Sequence, residues 1–348
     1  MKNRNLVLFT CTLFFFLSET DSYCQKLCGT PEIEHILINT NRAFRRSRGR
    51  IENFQKVFNK ESSERFNESV NRNVITIPVV VHVVYKNDDE KISLSRIQEQ
   101  IDILNEDFRA RNSDAQFTPD NFKNIIGDAG IEFRLAIRSP NNEVTNGVTY
   151  TLTNEPKFFL KSNNVKYSAD GGRDAWDPQN YLNIWVCDLD QYIGYATPPG
   201  LGINKTDGVV IRYTAFGKTG ATQKGCELGR TATHEIGHWL DLAHIWGDCN
   251  GQDECCSSCL DDDGVDDTPI QNRCNQGPID FNSNVQSCNG VSSLFVNYMD
   301  YVDDRTMVMF SKGQGVRMWG TLQFARKQIL NSKALIPVFS DKLLKKAL

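Results

Sequence analysis

The stretch Gly229-Arg-Thr-Ala-Thr-His-Glu-Ile-Gly-His-Trp-Leu-Asp-Leu-Ala-His244 constrains this chain more than any other, because it dictates where a helix runs and where it must stop. His234 and His238 are four residues apart and project from one face of a helix, within reach of a single metal ion. Glu235 lies about 100° round from His234, where it can hydrogen-bond a water on that metal. On a continuous helix His244 would sit roughly 15 Å farther along, so a third ligand requires the helix to end and the chain to double back. The chain has only five histidines, and three of them fall here. Zinc held by three neutral histidines keeps a fourth position for water and lowers that water's pKa towards roughly 7. Glu235 would take the proton as the water attacks a carbonyl and pass it to the leaving amine. The pattern predicts a zinc hydrolase.

With 348 residues the chain is long enough for a full core together with a leader and a pro-segment. A formal charge of −4 provides no basic patch for nucleic acid. Residues 1–22 read as a secretory signal. Lys2 and Arg4 precede an apolar run from Leu6 to Leu17, too short to span a bilayer comfortably, and a polar stretch follows. Secretion, to an extracellular or periplasmic space, is therefore expected, without stable membrane insertion once the signal is cut; an uncleaved anchor is the alternative. Cys11 lies inside the apolar run as a passenger. Of the eleven cysteines, Cys249, Cys255, Cys256, Cys259, Cys274 and Cys288 crowd together after the histidines, as disulfides stapling a loop-rich region would.

Residues 23–73 are polar and charged, with Arg-Arg-Ser-Arg-Gly-Arg at 45–50, and read as a pro-segment or flexible extension burying little. The folded domain is expected over 74–348, divided near the third histidine into subdomains of about 74–244 and 245–348. Ile75 to Tyr85 is a β-branched strand in which Pro78 marks a strand end or an edge and His82 is a core histidine. Further strands are expected at 130–138, 181–188 and 207–213. A helix over 96–110, capped by Ser93 or Ser95, and a last helix over 312–329, capped by Ser311, complete the periodic segments. The expected class is α/β (α+β): a twisted mixed sheet backed by helices, an active-site helix, then an irregular region ending in a helix.

His-Glu-x-x-His-x-x-x-x-x-His resembles the zinc motif of the metzincin metallopeptidases, with Asp241 where the consensus has Gly, and Asn297-Tyr-Met-Asp-Tyr301 resembles their Met-turn. Gly172-Arg-Asp-Ala-Trp-Asp-Pro-Gln-Asn-Tyr-Leu-Asn-Ile-Trp-Val186, Gly194-Tyr-Ala196, Asp207-Gly-Val-Val-Ile211 and Val265-Asp-Asp-Thr-Pro269 narrow the resemblance to the pappalysin family, in its cytophagalysin or ulilysin-like branch. The resemblance implies a zincin fold and an endopeptidase acting on extended protein or peptide substrates. It implies His234, His238 and His244 as zinc ligands, Glu235 as general base and acid, Met299 as the Met-turn methionine, and Tyr301 as a donor to the transition-state oxyanion. It also implies Asp263, Val265 (through its carbonyl) and Thr268 as calcium ligands, with a solvated acidic turn as the alternative. Cys28, in Cys28-Gly-Thr30, resembles the pro-segment cysteine that caps the zinc in zymogens; a Cys24–Cys28 disulfide is the competing fate.

Three further expectations follow. An aspartate at 241 costs on the order of 1 kcal/mol if the backbone there is left-handed. The family places a cysteine where Thr306 stands, so its partner near Cys274 must pair elsewhere, among Cys255, Cys256 and Cys259. Val302-Asp-Asp-Arg-Thr306 is expected to line the primed-side specificity pocket, with Asp303 or Asp304 favouring Lys or Arg and Arg305 favouring acids. Two other functions fit the metal motif: a non-catalytic, metal-stabilised binding or adhesion module on the same fold, and a zinc amidase with a small substrate. A structural site gains nothing from a base such as Glu235 beside an open coordination position.

Overall fold

A computed structural model describes residues 27–62, 74–202, 205–247, 255 and 258–338. The signal, Cys11, Cys24, Cys249 and Cys256 lie outside these residues. The segment read as a pro-segment or flexible extension forms two helices, α1 (Thr30–Thr40) and α2 (Arg42–Ser62), laid against the domain, so it buries more than its composition suggests. Asn41 caps α2 by accepting from the N–H groups of Ala43 and Phe44, each at 3.0 Å. The inward face of α2 buries Ser47, Ile51 and Gln55. Two of these three are polar, so a search for apolar periodicity passes over the helix.

Strand β1 (Ile75–Tyr85) is buried from Ile77 to Val84. Alternate side chains enter opposite layers: Ile77, Val79, Val81 and Val83 join the main core, while Val80, His82 and Val84 face the other way. Burial on both faces explains why the run reads as continuous rather than alternating. Strands β2 (Ile131–Leu135) and β3 (Val148–Leu152) pair in succession along one side of β1, and β4 (Leu182–Cys187) pairs along the other. Beyond β4 lie, in space, β6 (Val209–Arg212) and then the short β5 (Gly194–Ala196), which alone runs antiparallel. Pairing with β4 begins only at Val79, so the N–H that Pro78 lacks falls before a partner is present.

Helices α3 (Leu94–Asp107) and α4 (Arg230–Trp239) cover one face of the sheet through Ile97, Ile101, Leu104, Ala232 and Ile236. Ser93, not Ser95, caps α3 by accepting from the Arg96 N–H. The opposite face is covered by an irregular segment that contributes Phe158, Leu160 and Val165. After α4 the chain is mostly loops, tied by the disulfides Cys255–Cys274 and Cys259–Cys288 and by the pairing of β7 (Gln276–Gly277) with β8 (Tyr301–Val302).

Helix α5 (Lys312–Gln323) has the expected Ser311 cap, completed as a capping box by Gln314, but it stops short of 329. Tertiary contacts redirect the chain there. The Phe324 ring stacks on Phe54 of α2, and Arg326 pairs with Asp207 while lying over the Trp239 ring. Among the described residues, no helix is long and apolar enough to cross a membrane.

Candidate active site

Helix α4 begins at Gly229, whose φ of 75° is left-handed and whose α-carbon lies against Gln100 and Ile103 of α3; a Cβ there would meet both at 2.9 Å. It ends after Trp239. The Asp241 N–H bonds the His238 carbonyl and the Leu242 N–H returns to Gly237, while Asp241 itself takes a φ of 76°. This left-handed residue makes the reversal that the histidine spacing demands, and it brings His244 back to its partners.

The Nε2 atoms of His234, His238 and His244 lie 3.1, 3.1 and 3.3 Å from one another. Nδ1 of His234 donates to the Tyr298 carbonyl and Nδ1 of His238 to the Leu242 carbonyl, each at 2.7 Å. Those bonds assign the tautomer: the proton is on Nδ1, and Nε2 keeps a lone pair. The contact between the His234 and His238 Nε2 atoms is therefore not a hydrogen bond between rings. Three Nε2 atoms facing one another suit a cation, and ligands at about 2.0–2.1 Å from one tetrahedral zinc stand about 3.3 Å apart. The donor set fits zinc. His244 is further held by stacking on Trp246, with centroids 4.3 Å apart and planes at 4°.

The Cys28 sulfur lies within 4.8 Å of all three histidine nitrogens, and the thiol is free. It reaches Oε2 of Glu235 at 3.4 Å, and the Thr30 hydroxyl donates to the same oxygen at 2.9 Å. The other Glu235 oxygen is buried without a hydrogen-bond partner among the described residues. Burial pushes the Glu235 carboxyl up to about 8, partly offset by the bonds from Cys28 and Thr30. Burial and the neighbouring Glu235 also push the Cys28 thiol well above its usual range; a cation at the histidines would reverse that environment.

Met299 is buried, and its sulfur presses on α4 at Gly237, where a Cβ would come within 2.5 Å. The Tyr301 ring packs edge-on to His244, and its hydroxyl accepts from the Cys28 N–H at 3.4 Å. Sequence reasoning missed Asp107 on α3. Its carboxylate accepts from the Tyr298 hydroxyl at 2.9 Å and from the Thr233 hydroxyl at 2.7 Å, and it pairs with Arg230 at 3.1 Å. It thus ties the first turns of α4 to the residue whose carbonyl orients His234. Burial raises the Asp107 carboxyl to about 6 against the pull of Arg230. No local motif marks this residue, since its partners lie more than a hundred positions away.

These features coincide with three comparisons. Residues 165–323 match the model of the peptidase M43 family, described as pregnancy-associated plasma protein-A. The chain is 30% identical over 252 residues to an extracellular metalloprotease of Arthroderma benhamiae, covering 70% of this chain and 71% of that one.

The chain belongs to the peptidase M43, or pappalysin, family.

Among solved structures it is similar to a promirolysin mutant of Tannerella forsythia, with 39% identity, a TM-score of 0.76, and 90% of this chain and all of that one covered. Mature mirolysin in complex with a cleaved peptide matches at 43% identity and a TM-score of 0.69, covering 76% of this chain and 99% of that one. Like these pappalysins it is a zinc metalloprotease of the metzincin fold.

The remaining expected residues fall into two groups. Asp263, Val265 and Thr268 come together: the Thr268 hydroxyl lies 2.8 and 2.9 Å from the two Asp263 oxygens and 2.8 Å from the Val265 carbonyl. Backbone donors also serve these acceptors: the Val265 N–H reaches Asp263 Oδ1 at 3.0 Å and the Thr268 N–H the Val265 carbonyl at 3.3 Å. Burial pushes the Asp263 carboxyl well above its usual range. The 303–305 trio separates. Asp304 accepts from the N–H groups of Leu228 and Arg230, and Arg305 turns outward to Glu227. Asp303 is pushed up to about 6 by burial and by Asp304 beside it.

Proposed function

We propose that this chain is a secreted zinc endopeptidase, made latent by its own residues 23–73 and hydrolysing extended peptides across the cleft beneath β5. The observation that carries the reading is the convergence of three metal-facing Nε2 atoms with a buried carboxylate beside them and a free thiol over them. Residues His234, His238 and His244 would hold the zinc, which when bound acts as a Lewis acid toward water and the scissile carbonyl.

Glu235 takes a proton from the attacking water through Oε2, the oxygen that meets the Cys28 sulfur. The same carboxyl then hands the proton to the leaving amine. The Tyr301 hydroxyl donates to the oxyanion as it forms. Strand β5, at the sheet edge, offers backbone groups to align an extended peptide. An aspartate at 303, two residues beyond Tyr301, would give the primed side a preference for Lys or Arg; Asp304 accepts from backbone N–H groups and Arg305 pairs with Glu227.

In the uncut chain the Cys28 sulfur stands at the histidines and Thr30 occupies the base, so neither water nor carbonyl can take its place. Asp263, Val265 and Thr268 would hold calcium, bracing the loops after α4. The extracellular names of the curated relatives support export. The test is digestion of casein by protein trimmed to residue 74. Activity that a zinc chelator stops, and that drops about a thousandfold in Glu235→Ala, supports the reading; equal digestion by the variant overturns it.

A further inference from the structure

Residue 241 makes the bend on which His244 depends, and glycine would meet that backbone requirement without strain. The aspartate found there is buried and doubly engaged. One carboxylate oxygen forms a close ion pair with Arg48 of α2. The other lies 3.0 Å from Arg317 of α5 and accepts from Gln55 of α2 at 3.3 Å. Arg317 also donates through Nε to the Asp241 carbonyl at 2.6 Å. Burial disfavours the charge, but Arg317 and Arg48 outweigh it and hold the carboxyl below its usual range.

We propose that Asp241 is the catalytic body's receptor for an arginine of the N-terminal helical pair, so that this segment is gripped at two separate points. The proposal rests on reading residues 23–73 as the inhibitory segment. One grip is Cys28 at the histidines; the other is Arg48 at the bend. The surface suits one kind of partner, a helix that presents an arginine, a glutamine seven residues on and a ring between them. Helix α2 supplies all three, with Phe54 stacked on Phe324 at 4.5 Å and 7°.

The charges are arranged for release. Breaking a buried pair is costly when it strands an unpaired charge. Here Asp241 keeps Arg317 after α2 departs, and Arg48 keeps Glu34 of α1 at 2.7 Å. Neither side is orphaned, so the contact is a latch and not a permanent core pair. A glycine at 241 would leave Arg48 only the Pro199 carbonyl, at 3.4 Å, on the catalytic body.

The test uses the zinc-loaded full chain with Glu235→Ala, which cannot trim itself, and follows hydrogen exchange of the α2 amides. Arg48→Ala and Asp241→Asn should each speed exchange across α2 at least tenfold while β1 and β4 stay unchanged. The double variant should match Asp241→Asn within twofold, because that change already removes the Arg48 contact together with those to Gln55 and Arg317. Arg48→Lys should fall between, since a lysine cannot fork between Asp241 and Glu34. Unchanged exchange in Arg48→Ala, or effects that multiply in the double variant, would overturn the proposal. Should Asp241→Asn fail to fold, Arg48→Ala decides alone, since that residue lies outside the catalytic body.

A parallel arm measures peptide cleavage by the untrimmed Arg48→Ala chain with Glu235 intact, expected to rise at least threefold. Faster α2 exchange with no activity before or after trimming would support the latch and refute the protease reading. Activity on trimming with flat exchange would refute the latch and leave the protease reading standing.

Discussion

The Thr30 hydroxyl donates to Oε2 of Glu235 at 2.9 Å, and that bond joins a residue of the N-terminal segment to the carboxylate of the active-site helix. The Thr30 oxygen also accepts from the Ala196 N–H at 2.8 Å, so one side chain links segment, sheet edge and Glu235. Thr30→Val removes both bonds while leaving Cys28 in place. We expect the untrimmed Thr30→Val chain to cleave a fluorogenic peptide about threefold faster than the parent, and Cys28→Ser at least tenfold faster. Equal rates for Cys28→Ser and the parent would rule out the thiol as the main block.

Gly237 touches Met299 so closely that its side of α4 has no room for a methyl group. Because Met299 is fully buried, the sulfur cannot swing into solvent, and overpacking of this kind costs about 1–3 kcal/mol. Gly237→Ala should therefore lower the melting temperature and, by displacing the turn that carries the Tyr298 carbonyl, loosen zinc. The check is zinc retention during dialysis against a weak chelator, with a loss of tenfold or more in affinity expected. Parent-like retention would mean that the turn adapts without disturbing His234.

His82 supplies a pH dependence separate from the zinc site. Its ring contacts Thr149 and Asn183 at 2.8 and 3.0 Å, and burial pulls its pKa down to about 4. The unfolded chain, with a histidine near 6.5, takes up the proton first on acidification. Stability from this group is complete above pH 6.5 and is lost as pH falls from 6.5 towards 4, by at most roughly 3 kcal/mol. Denaturant unfolding of the parent and of His82→Gln across that range should give curves that diverge above pH 6 and converge near pH 4. Parallel curves would contradict the assignment.

The Asp263 carboxylate carries a calcium prediction. A calcium-selective chelator should lower the melting temperature of the parent by several degrees and leave Asp263→Asn unmoved. An unaffected parent would make the loop an ordinary buried turn, with Thr268 serving only as a hydrogen-bond donor.

What was legible in the chain follows from how far each signal reaches. The histidine site could be read because helical geometry ties residues four apart to one face, and β1 because burial on both faces leaves an unbroken apolar run. The role of Asp241 could be read only in part: its left-handed backbone follows from the break, but its arginine partners come from other helices. Helix α2 was not legible, since Ser47, Arg48 and Gln55 on its inward side look like solvent-facing residues until their partners are known. Strand β5 is three residues long and has no period to detect. Asp107 and Thr30 act on the site through single side-chain bonds to distant residues, which spacing cannot reveal.

Strand β5 has a consequence for handling the protein as well as for cleavage. Its outer edge is covered by Leu27 to Gly29, with the Gly29 N–H bonded to the Gly194 carbonyl at 2.9 Å and the Ile193 N–H to the Leu27 carbonyl at 3.0 Å. Removing the segment bares those donors and acceptors, and an uncovered sheet edge will pair with any extended chain, including another copy of itself. The trimmed form should therefore be the less soluble of the two.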